Sequence, residues 1–242
     1  HIDWRVSART HKTHTKLFSE EHEKPVLLAV EQTPALFFGS QVRLKANQAL
    51  NLAALLGWVT LQQNDLFGGL VFGETEQAWV HPKHTEHTLL NWFEQALTLQ
   101  RTLHAPGPAL PQLWQRHCLE LLKVVKPGSR VFLIGDLLDM TPATLNHLQT
   151  LRKHAQVCVL HLYDPLDKNL PPIEWLSLGD TRGEAGMTLN AKDPLVQAQY
   201  QKSYQTRWQT LQSQLHTLGI CVHEIGTHDD PLEALLARRL IR

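Results

Sequence analysis

Five short apolar runs, at 26–30, 66–72, 130–134, 157–162 and 221–225, are separated by longer stretches with helical periodicity. Strand–helix alternation of this kind predicts an α/β fold, doubly wound, with a mostly parallel sheet and helices on both faces. Residues 44–61 are apolar almost all round, as in a helix buried against such a sheet. Residues 88–103 place Leu89, Leu90, Trp92, Phe93, Ala96 and Leu97 at helical spacing. Helix starts are marked by Thr141-Pro142, Asp193-Pro194 and Asp230-Pro231, each an N-cap residue followed by proline at the first helical position. Glu233, three residues after Asp230, suggests a capping box. The Pro/Gly-rich stretch 170–186 reads as an excursion from the sheet, in the form of a hairpin.

A chain of 242 residues is long enough for one such domain and a sizeable core. Lysine plus arginine balance aspartate plus glutamate at 23 each, so no global charge draws the chain to nucleic acid or an anionic membrane. No apolar run approaches the length of a membrane span. The three cysteines, Cys118, Cys158 and Cys221, are far apart and odd in number, form no metal-type pair in sequence, and suit a reducing compartment. The chain starts on His1, not Met, which reads as a fragment with upstream residues removed.

Common chemistries find no support. There is no Gly-x-Gly-x-x-Gly after a strand, no phosphate-binding P-loop, no Gly-x-Ser-x-Gly elbow and no His-Glu-x-x-His. His81, His84 and His87 in HPKHTEH invite a metal reading, but Pro82 interrupts them, and the segment reads as a polar loop of solvated histidines entering a helix. The opening residues 1–23 hold Arg5, Arg9, Lys12 and Lys16 beside Trp4, followed by acids at Glu20 and Glu21. They read as an arm packed on the body through Trp4, with Arg9 paired to an acid, while 24–242 forms the domain.

In KPVLLAVEQTPALFFGS an apolar run ends on Glu31, Thr33 and Ala35, two apart, where an open sheet presents ligands at the carboxyl end of a strand. Taken singly, Glu31 suits backbone amides at a helix start, Thr33 suits a cap, and Asp136 suits the turn before Thr141.

The run DWRVSART at 3–10, with the acidic pair Glu20-Glu21, resembles a bacterial von Willebrand factor A-like family of unknown function. Collinear matches follow along essentially the whole chain. They are the acid-x-hydroxyl loop before Phe38-Gly39, then Lys45 leading into an Ala/Leu-rich helix, Asn64-Asp65 with Gly68-Gly69, and Gly135-Asp136 after a strand. Asp164-Pro165 with Leu170-Pro171, Tyr200 on a late helix and Arg238-Arg239 complete them. The resemblance implies a Rossmann-like sheet with one antiparallel edge strand. It also implies an adaptor or assembly factor, often encoded beside MoxR-type AAA+ ATPases, with no established enzymatic activity.

In von Willebrand A domains the ion site resembles Asp-x-Ser-x-Ser, a threonine on a second loop and an aspartate on a third. Carried over, these become Glu31, Thr33 and Ala35, then Thr85 or Thr88, then Asp136. Ala35 offers no oxygen and Glu31 is one methylene too long, so the resemblance implies a degenerate site with at most weak Mg²⁺ binding. Two readings follow. The first is a non-catalytic, cytoplasmic interaction domain whose partner is an AAA+ ATPase or its client, with no nucleic-acid role and Leu36, Phe37 and Phe38 as an apolar contact. The alternative is a divalent-metal hydrolase using Glu31, Asp136 and Asp139.

Overall fold

The computed structural model describes residues 24–178 and 187–241. The amino-terminal arm, with Trp4 and Arg9, lies outside the described residues.

Six strands form one sheet. Strand β1 (Pro25–Glu31) is central, flanked by β2 (Leu66–Phe72) and β4 (Ser129–Gly135), and the spatial order is β3-β2-β1-β4-β5-β8. All neighbours are parallel except β3 (Gln77–Lys83), which is antiparallel to β2 at one edge; β5 (Ala155–Tyr163) and β8 (Cys221–Gly226) close the other. Sheet order departs from chain order at β1, where the chain crosses to the opposite side. An open α/β sheet binds its ligands at such a crevice, outside the carboxyl ends of the strands.

The core explains the layers. Successive residues of β1 point to opposite faces: Val26, Leu28 and Val30 enter one apolar cluster, Leu27 and Ala29 the other. Helices α1 (Lys45–Gln62), α2 (Glu86–Gln100) and α7 (Pro231–Ala237) pack on the first face. On the second lie α3 (Pro111–Val124), α4 (Pro142–Arg152) and α6 (Pro194–Thr217). Burial on both faces is why these strands read as continuous apolar runs without alternation.

The proline-marked helix starts are as expected. Thr141, Asp193 and Asp230 each accept a backbone N–H from the first turn of their helix. A fourth heads the one-turn α5 (Pro165–Lys168), and the reciprocal capping box belongs here: Asp164 takes the Leu166 N–H while Asp167 takes the Asp164 N–H at 2.7 Å. The excursion after α5 contains a two-stranded antiparallel pair, β6 (Leu176–Leu178) and β7 (Met187–Leu189).

One segment departs from expectation. HPKHTEH is not a loop entering a helix: His81 and Pro82 belong to β3, an edge strand where a proline that cannot donate to the ladder is tolerated. His81 accepts a hydrogen bond from the Trp79 indole, and His84 contacts the Leu61 carbonyl, so these two histidines are engaged separately.

Gly69 is required by close approach. Its φ is +149°, and a Cβ there would lie 2.1 Å from the Leu28 carbonyl oxygen of the central strand, beside the register shift that bends β2 onto β3. Gly69→Ala is expected to destabilise the domain by about 3 kcal/mol, measured by urea unfolding. Wild-type stability would show that the strand can shift to admit the methyl group.

Candidate functional site

Glu31 ends β1 and is buried. Its Oε1 accepts the Thr33 hydroxyl at 2.6 Å; its Oε2 accepts the Asp136 N–H at 2.9 Å and the Trp114 indole N–H at 3.2 Å. Gly135 makes this possible, because a Cβ there would sit 2.4 Å from Glu31 Oε2. Burial, opposed by the Thr33 hydrogen bond, pushes the Glu31 carboxyl up to about 7. Thr33 is spent on Glu31, and Ala35 is buried in a single 3₁₀ turn at 34–36.

Asp136 follows β4 and faces Lys45, the first residue of α1. The Lys45 ammonium lies 3.2 Å from Asp136 Oδ2 and 2.7 Å from Asp167 Oδ2, and its side chain is only 4% exposed. Burial pulls the Lys45 ammonium down, but Asp136 and Asp167 outweigh it and hold it well above the ordinary lysine value. Asp136 is pushed up by burial and brought below the usual carboxylate range chiefly by the Lys45 ammonium. Two carboxylates therefore share one built-in cation.

Asp164, fully buried, ties the surrounding loops together. Its Oδ1 accepts Ser40 Oγ at 2.5 Å, and its Oδ2 accepts the Ser40 N–H at 2.8 Å and Thr227 Oγ1 at 2.6 Å. Gln48, buried in α1, donates to the carbonyls of Gly226 and Asp229. The loops after β1, β5 and β8 are thus fixed to one another by charge-assisted or buried hydrogen bonds.

A polar chain leads away from Asp136. His161 Nδ1 accepts the Leu137 N–H at 3.2 Å, which leaves the ring proton on Nε2, facing Tyr204 Oη at 3.3 Å. Burial pulls this histidine below the ordinary imidazole value, opposed by the nearby Asp136. Tyr204 donates to Glu224, which also pairs with Lys168 at 2.6 Å. A cavity of about 110 Å³ opens beside this chain, lined by Asp136, Asp139, Asp167, Tyr200 and Arg207 among others. Asp139 is not aimed at Glu31: Arg207 holds its carboxylate through two nitrogens.

The structure brings Glu31, Thr33 and Asp136 together and places Thr85, Thr88 and Leu36 elsewhere than the sequence reading put them. Thr85 and Thr88 are at the wrong edge. Lys83, just before them, pairs with Phe67 at the start of β2, whereas Glu31 pairs with Phe72 at its end. Five residues of strand, roughly 16 Å, separate the two levels. Thr85 instead caps α2 by accepting the Thr88 N–H. The segment that does reach Glu31 comes later, through Trp114 and through Gly107, whose N–H donates to the Pro34 carbonyl. Leu36 is buried in the core and unavailable as a contact, whereas Phe37, packed partly against the core, and Phe38 are half-buried. Finally, Cys158 and Cys221, distant in sequence, are register partners on β5 and β8.

Sequence reasoning missed Lys45, Asp164, Asp167 and His161 as site residues. Lys45 and Asp164 stood among the family matches without a role, and nothing in the spacing marked Asp167 or His161.

A parallel sheet reversing at β1, one antiparallel edge strand, and acid-bearing loops at its carboxyl edge define a von Willebrand A-like domain. The chain belongs to the family described as "Protein of unknown function DUF58", whose profile matches residues 1–210. Among solved structures, the chain is similar to the conserved hypothetical protein BatB from Bacteroides thetaiotaomicron. That match has a TM-score of 0.51 at 12% identity, covering 89% of this chain and 96% of that one. It is likewise similar to an aerotolerance-related membrane protein from Bacteroides fragilis, with a TM-score of 0.53 at 14% identity, covering 90% and 98%. A von Willebrand A domain titled SpRpn10 matches at a TM-score of 0.48 and 9% identity, over 89% of this chain and 94% of that one. No curated protein matches in sequence. Identities this low speak for the fold alone. Among the described residues, no helix is long and apolar enough to cross a membrane.

Glu31 sets a pH dependence. Its ordinary carboxyl value of 4.5 applies unfolded and about 7 applies folded. The folded state therefore holds the proton more tightly, and this contribution to stability is present below 4.5 and lost as pH rises through 7. Between pH 4.5 and pH 8.5 the loss amounts to about 3 kcal/mol. Glu31→Gln is expected to flatten this part of the stability curve, measured by urea unfolding at both pH values. An unchanged slope would place the titration elsewhere.

Proposed function

We propose that this chain is a non-catalytic protein-interaction domain in which the Lys45 ammonium takes the place that a divalent cation holds in metal-dependent relatives. The observation that carries this reading is the bridge from the buried Lys45 ammonium to Asp136 and Asp167, at 3.2 and 2.7 Å. Mg²⁺ demands about six oxygens in near-octahedral geometry at roughly 2.0–2.1 Å. Here Ala35 supplies none, both Glu31 oxygens are already accepting hydrogen bonds, and the Asp136 charge is matched by a covalently tethered cation. The residues do not fit the ion.

The same pairing weighs against a hydrolase using Glu31, Asp136 and Asp139. Two of those acids are committed, to Lys45 and to Arg207, and the third titrates near 7 inside a hydrogen-bonded shell. Rigid carboxyl-edge loops suit binding. Val42 on the loop before α1, Trp175 in the excursion and Leu195 in the first turn of α6 are 59%, 71% and 79% exposed. The partner class is a MoxR-type AAA+ ATPase or its client, on the strength of the family resemblance, with the domain facing the cytoplasm. Binding of a purified MoxR-type ATPase from the same organism, weakened by Trp175→Ala without loss of thermal stability, is the test. Saturating concentrations without binding, or phosphatase turnover abolished by Asp136→Ala, would overturn the reading.

Calorimetry with Mg²⁺ and Mn²⁺ separates a tethered cation from a merely damaged ion site. Wild-type protein and the Glu31→Asp/Ala35→Ser variant are expected to bind neither ion at micromolar concentration, because Lys45 remains. Adding Lys45→Ala to that pair should create binding. Lys45→Met alone leaves two acids facing each other and should cost about 3–5 kcal/mol. Micromolar Mg²⁺ binding by the wild-type chain would refute the substitution of lysine for metal.

A further inference from the structure

At the end of the sheet opposite the Lys45 site, β5 and β8 place two thiols and an imidazole together. Cys158 and Cys221 are direct register partners, and His223, two residues on, returns to the same face beside Leu160. Cys221 Sγ lies 3.0 Å from His223 Nε2, and the three ligand atoms all lie within 4.8 Å of one another. Cys158 is buried, His223 half-buried and Cys221 exposed. Among the described residues, no other group of three such side chains comes this close.

The fold explains why this corner is open. Helix α7 packs on the same face but has only seven residues, about 10 Å of helix. It ends level with Glu224, whose carbonyl accepts a hydrogen bond from Arg238 at the helix terminus. Cys221 lies three residues further down the strand and is exposed.

We propose that Cys158, Cys221 and His223 bind one Zn²⁺, with the fourth position open to water or to a donor from a partner. A tetrahedral ion with Zn–S near 2.3 Å and Zn–N near 2.0–2.1 Å holds its ligand atoms roughly 3.5–3.8 Å apart. That spacing is within reach of the observed cluster by side-chain rotation alone. A disulfide suits the position less well. In-register neighbours on parallel strands stand about 4.8 Å apart with parallel Cα–Cβ bonds, whereas a disulfide draws its Cβ atoms to about 3.8 Å. Two thiolates and a neutral imidazole also match the charge of Zn²⁺ and the preference of such an ion for sulfur and nitrogen. Both thiol protons leave on coordination.

Bound there, the ion staples edge strand β8 to β5, and β8 carries Glu224 and the loop that holds Gln48. The test uses the whole chain, reduced and stripped of metal, titrated with Zn²⁺ against a chromophoric chelator. One equivalent per chain and a raised melting temperature are expected, with a thiolate-to-metal charge-transfer band when Co²⁺ replaces Zn²⁺. Cys221→Ser and His223→Ala, both at solvent-accessible positions, should weaken binding by roughly 100-fold or more, since losing even an outer hydrogen-bond partner of a ligand costs about 10–100-fold. Cys118→Ala, whose thiol is buried on the opposite face, should leave it intact. Equal affinity in Cys221→Ser, or a Co²⁺ complex without the charge-transfer band, assigns the metal to surface histidines and overturns the proposal. So does a Cys158–Cys221 disulfide that forms in a glutathione buffer while Zn²⁺ is present.

Discussion

The Lys45 ammonium, held between Asp136 and Asp167, joins three segments that the chain keeps far apart: the start of α1, the end of β4 and the turn after β5. A buried charge is tolerated only when paired and hydrogen-bonded. Here the requirement runs both ways, because each acid is also in need of a cation. At the carboxyl edge of the sheet one tethered ammonium thus partly offsets the charge of two carboxylates and holds their loops together.

Asp164 does for the backbone what Lys45 does for charge. Its carboxylate takes hydrogen bonds from the loop after β1, from the turn it caps and from the loop after β8. Gln48 adds two more from within α1. Loops that follow parallel strands are separate excursions, and they form one surface only if something fixes their relative positions. Two buried polar side chains do so here, and an interaction surface gains from this, because less freedom is lost when a partner binds.

The fold was legible because its signals are local. Apolar runs of strand length, helical periodicity and Thr-Pro or Asp-Pro helix starts each depend on a few adjacent residues, and all appear in the structure. The antiparallel strand β3 was harder. Its residues are largely exposed on an edge, and Pro82 with two histidines nearby gives it the composition of a loop. Only pairing with β2 makes it a strand. The same pairing direction carries Thr85 and Thr88 to the far edge, away from the site that a linear reading of the ion loops assigned them.

Sequence alone determined the layers of this protein and the lack of a side-chain oxygen at position 35. An alanine at position 35 has no oxygen in any fold, and β-length apolar runs must be buried on both sides. Tertiary structure decided which charges meet at the carboxyl edge. Lys45 and Asp167 are separated by more than a hundred residues, and so is Ser40 from Asp164, so nothing in the spacing reveals that each pair meets. Cys158 and Cys221 are similarly remote until parallel register sets them side by side. Side-chain chemistry is written residue by residue, but which charges and ligands become neighbours is fixed only when strand order and register are.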